Sequence, residues 1–199
     1  MPDLPSAPSI DQASQPPIGS AGHLYLIGLP ASGKTTLGRQ LAAYYGRGFL
    51  DLDHRIVADA GQTIPEIFAS EGEDGFRRRE AAALAAVASH PGRPLVVATG
   101  GGTPCFHNNL AVLHASGFVL WLDVPVRELR RRLLRRNQAA TRPLLAATAT
   151  AAMPQEAVSA WLDRTLEARA GFYAQARLRH PGGPVAEVAA ALEASGFQP

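Results

Sequence analysis

Short apolar runs alternate along this chain with longer stretches of helical character. Most of these runs are continuously apolar, which is typical of strands buried on both faces of a sheet. They predict five strands, at 23–29, 48–51, 94–98, 118–122 and, more weakly, 177–180. Helical stretches between consecutive strands favour parallel pairing. The pattern therefore predicts an α/β fold in which a parallel five-stranded sheet is covered by helices on both faces.

Start and stop signals divide the helical stretches. Thr63 is a predicted N-cap, Pro65 lies in the first turn after it, and Glu66 stands three residues after the cap. A break is expected at 71–75, where two glycines flank acidic residues. The predicted helices cover 35–45, 53–60, a stretch that begins at 63, 76–89, the segment after 122 through 136, 155–176 and 185–194.

Two segments have no periodicity. Residues 1–22 are rich in Pro, Ser, Ala and Gln, and residues 137–154 consist mostly of Ala, Thr and Pro. Segments of this kind bury too little apolar surface to order themselves firmly. We expect a flexible leader at 1–22 and one folded domain at 23–199, within which residues 137–154 are mobile.

Composition and charge narrow the class of protein. The chain has 199 residues and a formal net charge of only +2, and no long basic run or aromatic–basic alternation indicates a nucleic-acid partner. No apolar run reaches the roughly 18–20 residues needed to cross a bilayer, and no secretory signal is recognisable. We expect a cytoplasmic enzyme without a membrane partner. Cys105 is the only cysteine, so no disulfide framework is expected, and the lack of a heptad seam favours a monomer.

The most specific motif follows the first predicted strand. Residues 28–36 read Gly-Leu-Pro-Ala-Ser-Gly-Lys-Thr-Thr and match G-x-x-x-x-G-K-[ST] between a predicted strand and a predicted helix. In such a P-loop, backbone N–H groups surround nucleotide phosphates, the lysine reaches the β and γ oxygens, and the hydroxyl ligates Mg²⁺. Lys34 is the only lysine among 19 Lys and Arg residues. Its retention indicates a site that needs a compact ammonium rather than a planar guanidinium.

Carboxylates and glycines follow the next two predicted strands. One carboxylate of Asp51 and Asp53 can hold a water of the Mg²⁺ shell, and the other can accept the proton of an attacking hydroxyl. The three glycines at 100–102 let a ligand approach the backbone closely. Thr99 stands where many P-loop enzymes carry an acid, so Asp51 is the natural acidic partner of the metal. Because ligands bind beyond the carboxyl ends of parallel strands, these residues predict one cleft.

A cluster of arginines begins the helix predicted at 76–89. Residues 77–79 are arginines and are followed by Glu80. One of these arginines can bind a substrate carboxylate through a bidentate fork, and Glu80 is positioned to orient it. Arg78 and Arg79 are better explained as part of an exposed charged helix face.

A set of short elements occurs along the chain in a fixed order. They are Gly28-x4-Gly33-Lys34-Thr35, Asp51-x-Asp53, Ile67-Phe68, Gly72-Glu73, Phe76-Arg77-x-x-Glu80, Gly100-Gly101-Gly102, Arg142-Pro143-Leu144-Leu145 and Arg169-x-x-x-Tyr173. In order and approximate spacing, these elements resemble the shikimate kinase family over about residues 23–195. A P-loop alone would be unspecific, whereas the Phe-Arg-x-x-Glu, triple-glycine and Arg-Pro-Leu-Leu elements are highly specific in combination.

This resemblance implies a three-layer P-loop kinase fold and a reaction. The reaction is ATP-dependent phosphorylation of the 3-hydroxyl of shikimate to give shikimate 3-phosphate and ADP, a step of chorismate and aromatic amino-acid biosynthesis. ATP and shikimate are then the small-molecule partners, and Mg²⁺ is the cofactor. The mobile segment at about 137–154 would be a lid that closes over both substrates.

The resemblance also implies a role for individual residues. Catalytic roles fall to Lys34, to Asp53 as the candidate base, and to Arg142, which would reach in from the lid. Thr35 and Asp51 would serve the Mg²⁺ shell. The implied ATP-binding residues are Ala31, Ser32, Gly33, Lys34, Thr35, Thr36, Arg135 near the adenine, and Arg142. The implied substrate-binding residues are Asp53, Phe68, Phe76, Gly100, Gly101, Gly102, and the carboxylate clamp of Arg77 and Arg169.

The chain departs from the family pattern in three places. Ala31 stands where a glycine is common, and we expect its methyl group to be tolerated. Thr35 replaces the more frequent Ser and keeps the hydroxyl. The stretch from Arg142 to Arg169 is several residues longer than in compact members, and Arg136 is the alternative to Arg135 at the adenine.

Two rival functions remain open on the sequence. A gluconate kinase would share the P-loop but has no evident need for an arginine clamp combined with a triple glycine. A non-catalytic relative could bind nucleotide or substrate as a regulator, but it would not need to retain all of the candidate catalytic residues.

Overall fold

The structure, a computed structural model, describes residues 22–89, 93–135 and 155–199. Its strands are β1 (His23–Ile27), β2 (Gly48–Asp51), β3 (Leu95–Ala98), β4 (Gly117–Leu122) and β5 (Leu178–His180). Its α-helices are α1 (Lys34–Tyr44), α2 (Leu52–Ala60), α3 (Ile64–Ala88), α4 (Asn109–Ser116), α5 (Val126–Arg135), α6 (Gln155–Tyr173) and α7 (Val185–Ala194). A short 3₁₀ helix, Thr103–Cys105, precedes α4.

The five strands form one parallel sheet in the order β2-β3-β1-β4-β5. All residues of β1 and β4 are buried, whereas β2 and β5 lie at the edges and are partly exposed. A strand buried on both faces must be apolar throughout, which explains the continuous apolar runs. The predicted α/β fold with a parallel five-stranded sheet is confirmed.

Side chains of the inner strands alternate between the two faces of the sheet. On β1, Tyr25 and Ile27 join the larger core, to which α2 through α6 contribute. Leu24 and Leu26 point to a second core, which packs against α1 and α7. The sheet is therefore the middle of three layers, with helices on both faces as predicted.

Helix α3 begins with the predicted capping box. The Thr63 side chain accepts from the Glu66 N–H, and Glu66 Oε2 accepts from the Thr63 N–H at 2.7 Å. The break predicted at 71–75 was too wide, because only Gly72 is non-helical, with φ 69° and ψ −174°. Across this kink Arg79 pairs with Glu71 at 2.7 Å, a contact that the glycine-rich composition did not reveal.

Helix α4 was not predicted. It follows Asn108, a residue type that is common at helix starts, but this asparagine has a left-handed φ of 58° and its side chain makes no cap hydrogen bond. The expectations for 1–21 and for the lid at about 137–154 lie outside the described residues. Within the described ranges, no helix is long and apolar enough to cross a bilayer.

Candidate active site

The loop between β1 and α1 depends on glycine at both ends of the motif. Gly28 and Gly33 have φ values of 135° and 99°, and a Cβ at Gly28 would lie 2.6 Å from the Leu122 carbonyl oxygen. No side chain caps α1 at Gly33. The first N–H groups of α1 are thus left for a ligand, at the helix end where the dipole favours an anion.

Lys34 lies inside this loop and is only 8% exposed. Its Nζ donates to the carbonyl oxygens of Gly28 at 2.9 Å and Leu29 at 3.0 Å, and to Ser32 Oγ at 3.4 Å. One compact ammonium can serve three acceptors in this small space, whereas a planar guanidinium would be too broad. The geometry agrees with the preference for lysine expected from the sequence.

Thr35 and Asp51 form a hydroxyl–carboxylate pair between α1 and β2. Thr35 Oγ1 donates to Asp51 Oδ2 at 2.8 Å. The other oxygen, Asp51 Oδ1, accepts from the backbone N–H of Asp53 at 3.1 Å and of His54 at 3.4 Å. Asp51 therefore caps α2 and also faces the P-loop, so its orientation is fixed by both elements.

A cavity of about 490 Å³ opens beside these groups. It is lined by the P-loop with the start of α1, by the residues that follow β2 and β3, and by α5. The lining residues are Ala31, Gly33, Lys34, Thr35, Thr36, Asp51, Asp53, Thr99, Gly100, Gly101, Glu128, Arg131 and Arg132. The structure thus brings the residues after three different strands to one cleft, as the sequence predicts.

Asp53 lies in the first turn of α2 and borders the glycine run at 100–102. A Cβ at Gly100 would lie 3.1 Å from Asp53 Oδ1 and 2.7 Å from Glu80 Oε1. Glu80 is fully buried and its Oε1 accepts from Thr103 Oγ1 at 2.6 Å. Glycine at position 100 therefore lets two carboxylates, from α2 and from α3, approach the backbone.

Gly101 and Gly102 leave space for two arginine side chains. A Cβ at Gly101 would lie 3.2 Å from Arg169 Nη1, and a Cβ at Gly102 would lie 2.7 Å from Arg77 Nη2. The sequence predicted that the glycines give access to a ligand. The structure gives a second reason for glycine at these positions, because side chains of the protein fill the space that a larger residue would need.

Arg77 is buried and held by two carboxylates. Its Nη1 pairs with Glu80 Oε2 at 2.8 Å and its Nη2 with Glu73 Oε1 at 3.1 Å. Its guanidinium also stacks 4.2 Å from the centroid of the Phe106 ring. Burial works to lower the pKa of Arg77, but the charges of Glu80 and Glu73 outweigh it and the pKa is raised. Of the three arginines at 77–79, Arg77 is the one that Glu80 holds, and its binding of a substrate carboxylate stays a prediction.

Arg169 and Tyr173 stand one turn apart on α6. Arg169 is 4% exposed, and its Nε has no hydrogen-bond partner among the described residues. The Tyr173 hydroxyl donates to the Gly101 carbonyl oxygen at 2.5 Å, and burial raises the pKa of this phenol to about 12. Helix α6 therefore anchors the glycine run and places a second buried cation beside it.

Phe68 and Phe76 pack together on α3. Their ring centroids are 4.8 Å apart, and the Arg77 guanidinium lies 5.2 Å from the Phe76 centroid. Phe76 belongs to the larger core, against which Phe68 packs. Neither ring lines the cavity beside the P-loop; Phe76 contacts Arg77, and Phe68 packs on Phe76.

Three predicted arginines cannot be placed in the site. Arg142 and Arg136 lie outside the described residues, and Arg135 ends α5 without a described side chain.

Two residues of the site were missed by the sequence analysis, Phe106 and Arg132. The spacing of Glu128 and Arg132 by four residues, on a helix that follows a strand, was the available signal for Arg132.

A phosphate-binding loop, a hydroxyl–carboxylate pair beside it and a further carboxylate next to two buried arginines occupy one edge of a three-layer fold. This combination defines a P-loop kinase that acts on a small anionic molecule.

Comparison with known proteins gives the family. The family model for shikimate kinase matches residues 30–184. The chain is 47% identical over 156 residues to the shikimate kinase of Synechococcus elongatus, an alignment that covers 78% of this chain and 75% of that protein. The chain belongs to the shikimate kinase family, and the resemblance carried by its motifs is confirmed.

Solved structures agree with this assignment. Shikimate kinase from Acinetobacter baumannii in complex with shikimate matches with a TM-score of 0.76 and 33% identity, over 90% of this chain and 97% of that chain. A gluconokinase from Sinorhizobium meliloti matches with a TM-score of 0.53 and 18% identity, over 88% of this chain and 91% of that chain. The gluconokinase shares the fold alone, so the rival function has no support beyond the architecture.

Proposed function

We propose that this chain transfers the γ-phosphoryl group of ATP to the 3-hydroxyl of shikimate, with Asp53, Arg77 and Arg169 as its acceptor site. The observation that carries the residue roles is the glycine run at 100–102. On one side it borders the P-loop cavity, and against it lie the carboxylates of Asp53 and Glu80 and two buried guanidinium groups. Nucleotide and acceptor can therefore meet across a short stretch of backbone.

The P-loop supplies the nucleotide end of the reaction. Lys34 and the first N–H groups of α1 are fixed before any ligand arrives, because the loop is closed by internal hydrogen bonds. Preorganised donors of this kind stabilise charge that develops on the transferred phosphoryl group without reorganising at the moment of reaction.

Asp53 supplies the acceptor end. Its carboxylate lies between the cavity that it lines and the glycine run, near enough for Oδ1 to be 3.1 Å from a Cβ built at Gly100. We assign it to hold the attacking hydroxyl and take its proton as the new O–P bond forms. Asp51 accepts from Thr35 and from the start of α2 on the P-loop side, so we assign it to the metal rather than to the proton.

Arg77 and Arg169 supply the recognition of a carboxylate. Both are buried, and a buried cation is costly unless an anion compensates it. Arg77 has Glu73 and Glu80 for this purpose, while the Nε of Arg169 has no partner in the described ranges. A bound carboxylate would satisfy Arg169 and share the fork of Arg77.

The residues also fit Mg²⁺. The Thr35 hydroxyl and the Asp51 carboxylate are hard oxygen donors 2.8 Å apart beside the P-loop, and Mg²⁺ is usually held by one or two protein oxygens together with substrate phosphates. When bound, the ion neutralises charge on the β and γ oxygens. We therefore assign Thr35 and Asp51 to hold it.

A substrate panel tests this function. Purified chain with ATP and Mg²⁺ should produce ADP with shikimate and not with gluconate, and removal of Mg²⁺ by a chelator should stop turnover until Mg²⁺ is returned. Faster turnover of gluconate would refute the acceptor assignment. Binding of both ligands without turnover would favour the regulator. A monomeric state, a cytoplasmic location and the absence of a nucleic-acid partner stay predictions.

A further inference from the structure

Arg132 connects helix α5 to the P-loop. Its Nη1 donates to the carbonyl oxygens of Ala31 at 3.2 Å and Ser32 at 3.1 Å. Its Nε donates to Glu128 Oε1, one turn earlier on α5, at 2.9 Å. The guanidinium is therefore held from the helix side and from the loop side, although 40% of the side chain is exposed.

The loop is strained at the residue that Arg132 contacts. Ala31 has a φ of 63°, in the left-handed region, where a Cβ crowds the backbone and only glycine is at ease. The sequence predicts that the loop tolerates the methyl group of Ala31, and the structure shows that it does so in a backbone conformation that favours glycine. A strained residue keeps such a conformation only if its surroundings enforce it.

The two carbonyl groups that Arg132 holds determine where two N–H groups point. In a planar trans peptide, the C=O of one residue and the N–H of the next point in opposite directions. The peptide of the Ala31 carbonyl carries the Ser32 N–H, which closes the loop onto the Leu29 carbonyl oxygen at 3.2 Å. The peptide of the Ser32 carbonyl carries the Gly33 N–H, one of the donors that a P-loop offers to phosphate.

We propose that Arg132 is a positioning residue of the ATP site, which keeps the loop strained at Ala31 in the shape that binds nucleotide phosphates. The proposal rests on the proposed function of this cavity. It differs from simple charge attraction, for which the neighbouring Arg131 is a natural comparison. Arg131 lines the same cavity and pairs with Glu128 at 2.7 Å, but its hydrogen bonds in the described part of the chain go to Glu128 rather than to the loop.

The test is a double-mutant cycle between Arg132 and Ala31. Arg132→Ala should raise the KM for ATP and the Kd for ADP about tenfold, equivalent to about 1.4 kcal/mol. In an Ala31→Gly background, where glycine relieves the strain, the same substitution should raise these two constants about threefold or less. Arg131→Ala removes an equal charge and should raise them about threefold or less in both backgrounds. Binding of shikimate, measured by calorimetry, should be unchanged in all variants and shows that they are folded.

Two results would overturn the proposal. An equal effect of Arg131→Ala and Arg132→Ala would mean that charge alone matters. An undiminished effect of Arg132→Ala when residue 31 is glycine would mean that Arg132 does not act through the strained loop. Arg132→Gln, too short to reach both carbonyls, should repeat the pattern of Arg132→Ala. A parent chain that fails to phosphorylate shikimate would instead refute the proposed function, so the two failures are distinguishable.

Discussion

The two halves of the active site are built from the chain in different ways. The proposed nucleotide half consists of the loop at 28–36 with Asp51, and the proposed acceptor half consists of Asp53, Arg77 and Arg169 around the glycine run at 100–102. In the nucleotide half, Lys34 bonds to carbonyl groups only five and six residues away. In the acceptor half, Tyr173 reaches a glycine carbonyl 72 residues away.

The nucleotide half is therefore formed by a local sequence motif, whereas the acceptor half is formed by the packing of distant elements. The phosphate site is nearly complete once β1 is followed by the loop and α1. The carboxylate site exists only when α3, α6 and the end of β3 meet, and its geometry depends on the absence of side chains at three positions. Substitutions in the first half should change chemistry and nucleotide binding, whereas substitutions in the second should change recognition of the acceptor.

The largest effect is expected at Asp53, where the halves meet. Asp53→Asn keeps the shape but cannot accept a proton, so kcat should fall about 10²–10⁴-fold. Affinities for ADP and shikimate, measured separately by calorimetry, should remain within about threefold of the parent. If nucleotide affinity collapsed while bound substrate still turned over, Asp53 would be a metal ligand and its role would exchange with that of Asp51.

Lys34→Ala should come next and should affect the nucleotide half alone. Loss of the fixed cation beside the phosphates should lower kcat about 10²–10³-fold, and Lys34→Arg should also be poor because the broad fork does not fit the loop. Single-turnover measurement of phosphoryl transfer, with shikimate affinity as the control for folding, checks this. Near-normal turnover in both variants would contradict the P-loop assignment.

Gly102→Ala tests the acceptor half without replacing a charged residue. The new Cβ would lie 2.7–2.9 Å from the Arg77 guanidinium, so Arg77 must move and the KM for shikimate should rise about 10–100-fold, as for a lost charge-assisted contact. The KM for ATP should hardly change. Gly182→Ala is the matched control, because its φ of 89° imposes backbone strain while no atom of the described residues lies within 4 Å of the new Cβ. It should lower the melting temperature and leave both KM values alone.

His114 provides a smaller effect that belongs to neither half. It is buried on α4, and burial, with the nearby charge of Arg177, lowers its pKa below the ordinary 6.5. The unfolded chain then binds the proton more readily, so stability is full above about pH 6.5 and falls as the pH drops below it. His114→Leu should reduce the loss of melting temperature between pH 7.5 and 5.5 by a few degrees. The exposed His107→Asn should leave that loss unchanged, and equal acid sensitivity in the parent and His114→Leu would exclude this role.

Prediction from the sequence succeeded where the information is local. The five strands, the capping box at Thr63 and the P-loop each depend on neighbouring residues, and the structure has them as predicted. The spacing of Arg77 and Glu80 also gave their contact, since residues three apart share a helix face.

The rest required the three-dimensional structure. The asparagine before α4 is a weak signal without the rest of a cap motif, and no local signal predicts the stacking of Phe106 on Arg77. The contact of Arg132 with the loop spans about a hundred residues. The family resemblance implied that Arg169 and Gly101 share one site, but no local pattern does so, and in the structure α6 packs against the 3₁₀ helix that follows the glycine run. Such contacts are products of packing, which the order of residues does not state.

We propose that two buried arginines from separate helices, Arg77 and Arg169, recognise the carboxylate of the acceptor. The most direct test of this central claim compares kcat/KM for shikimate and for its methyl ester in the parent chain and in Arg169→Gln. Esterification and the substitution should each lower kcat/KM about 10–100-fold, as expected for the loss of one charge-assisted hydrogen bond. Applied together, they should cost little more than either alone, and the KM for ATP should not change. A parent chain that uses the ester as well as shikimate, or two losses that multiply, would contradict the claim.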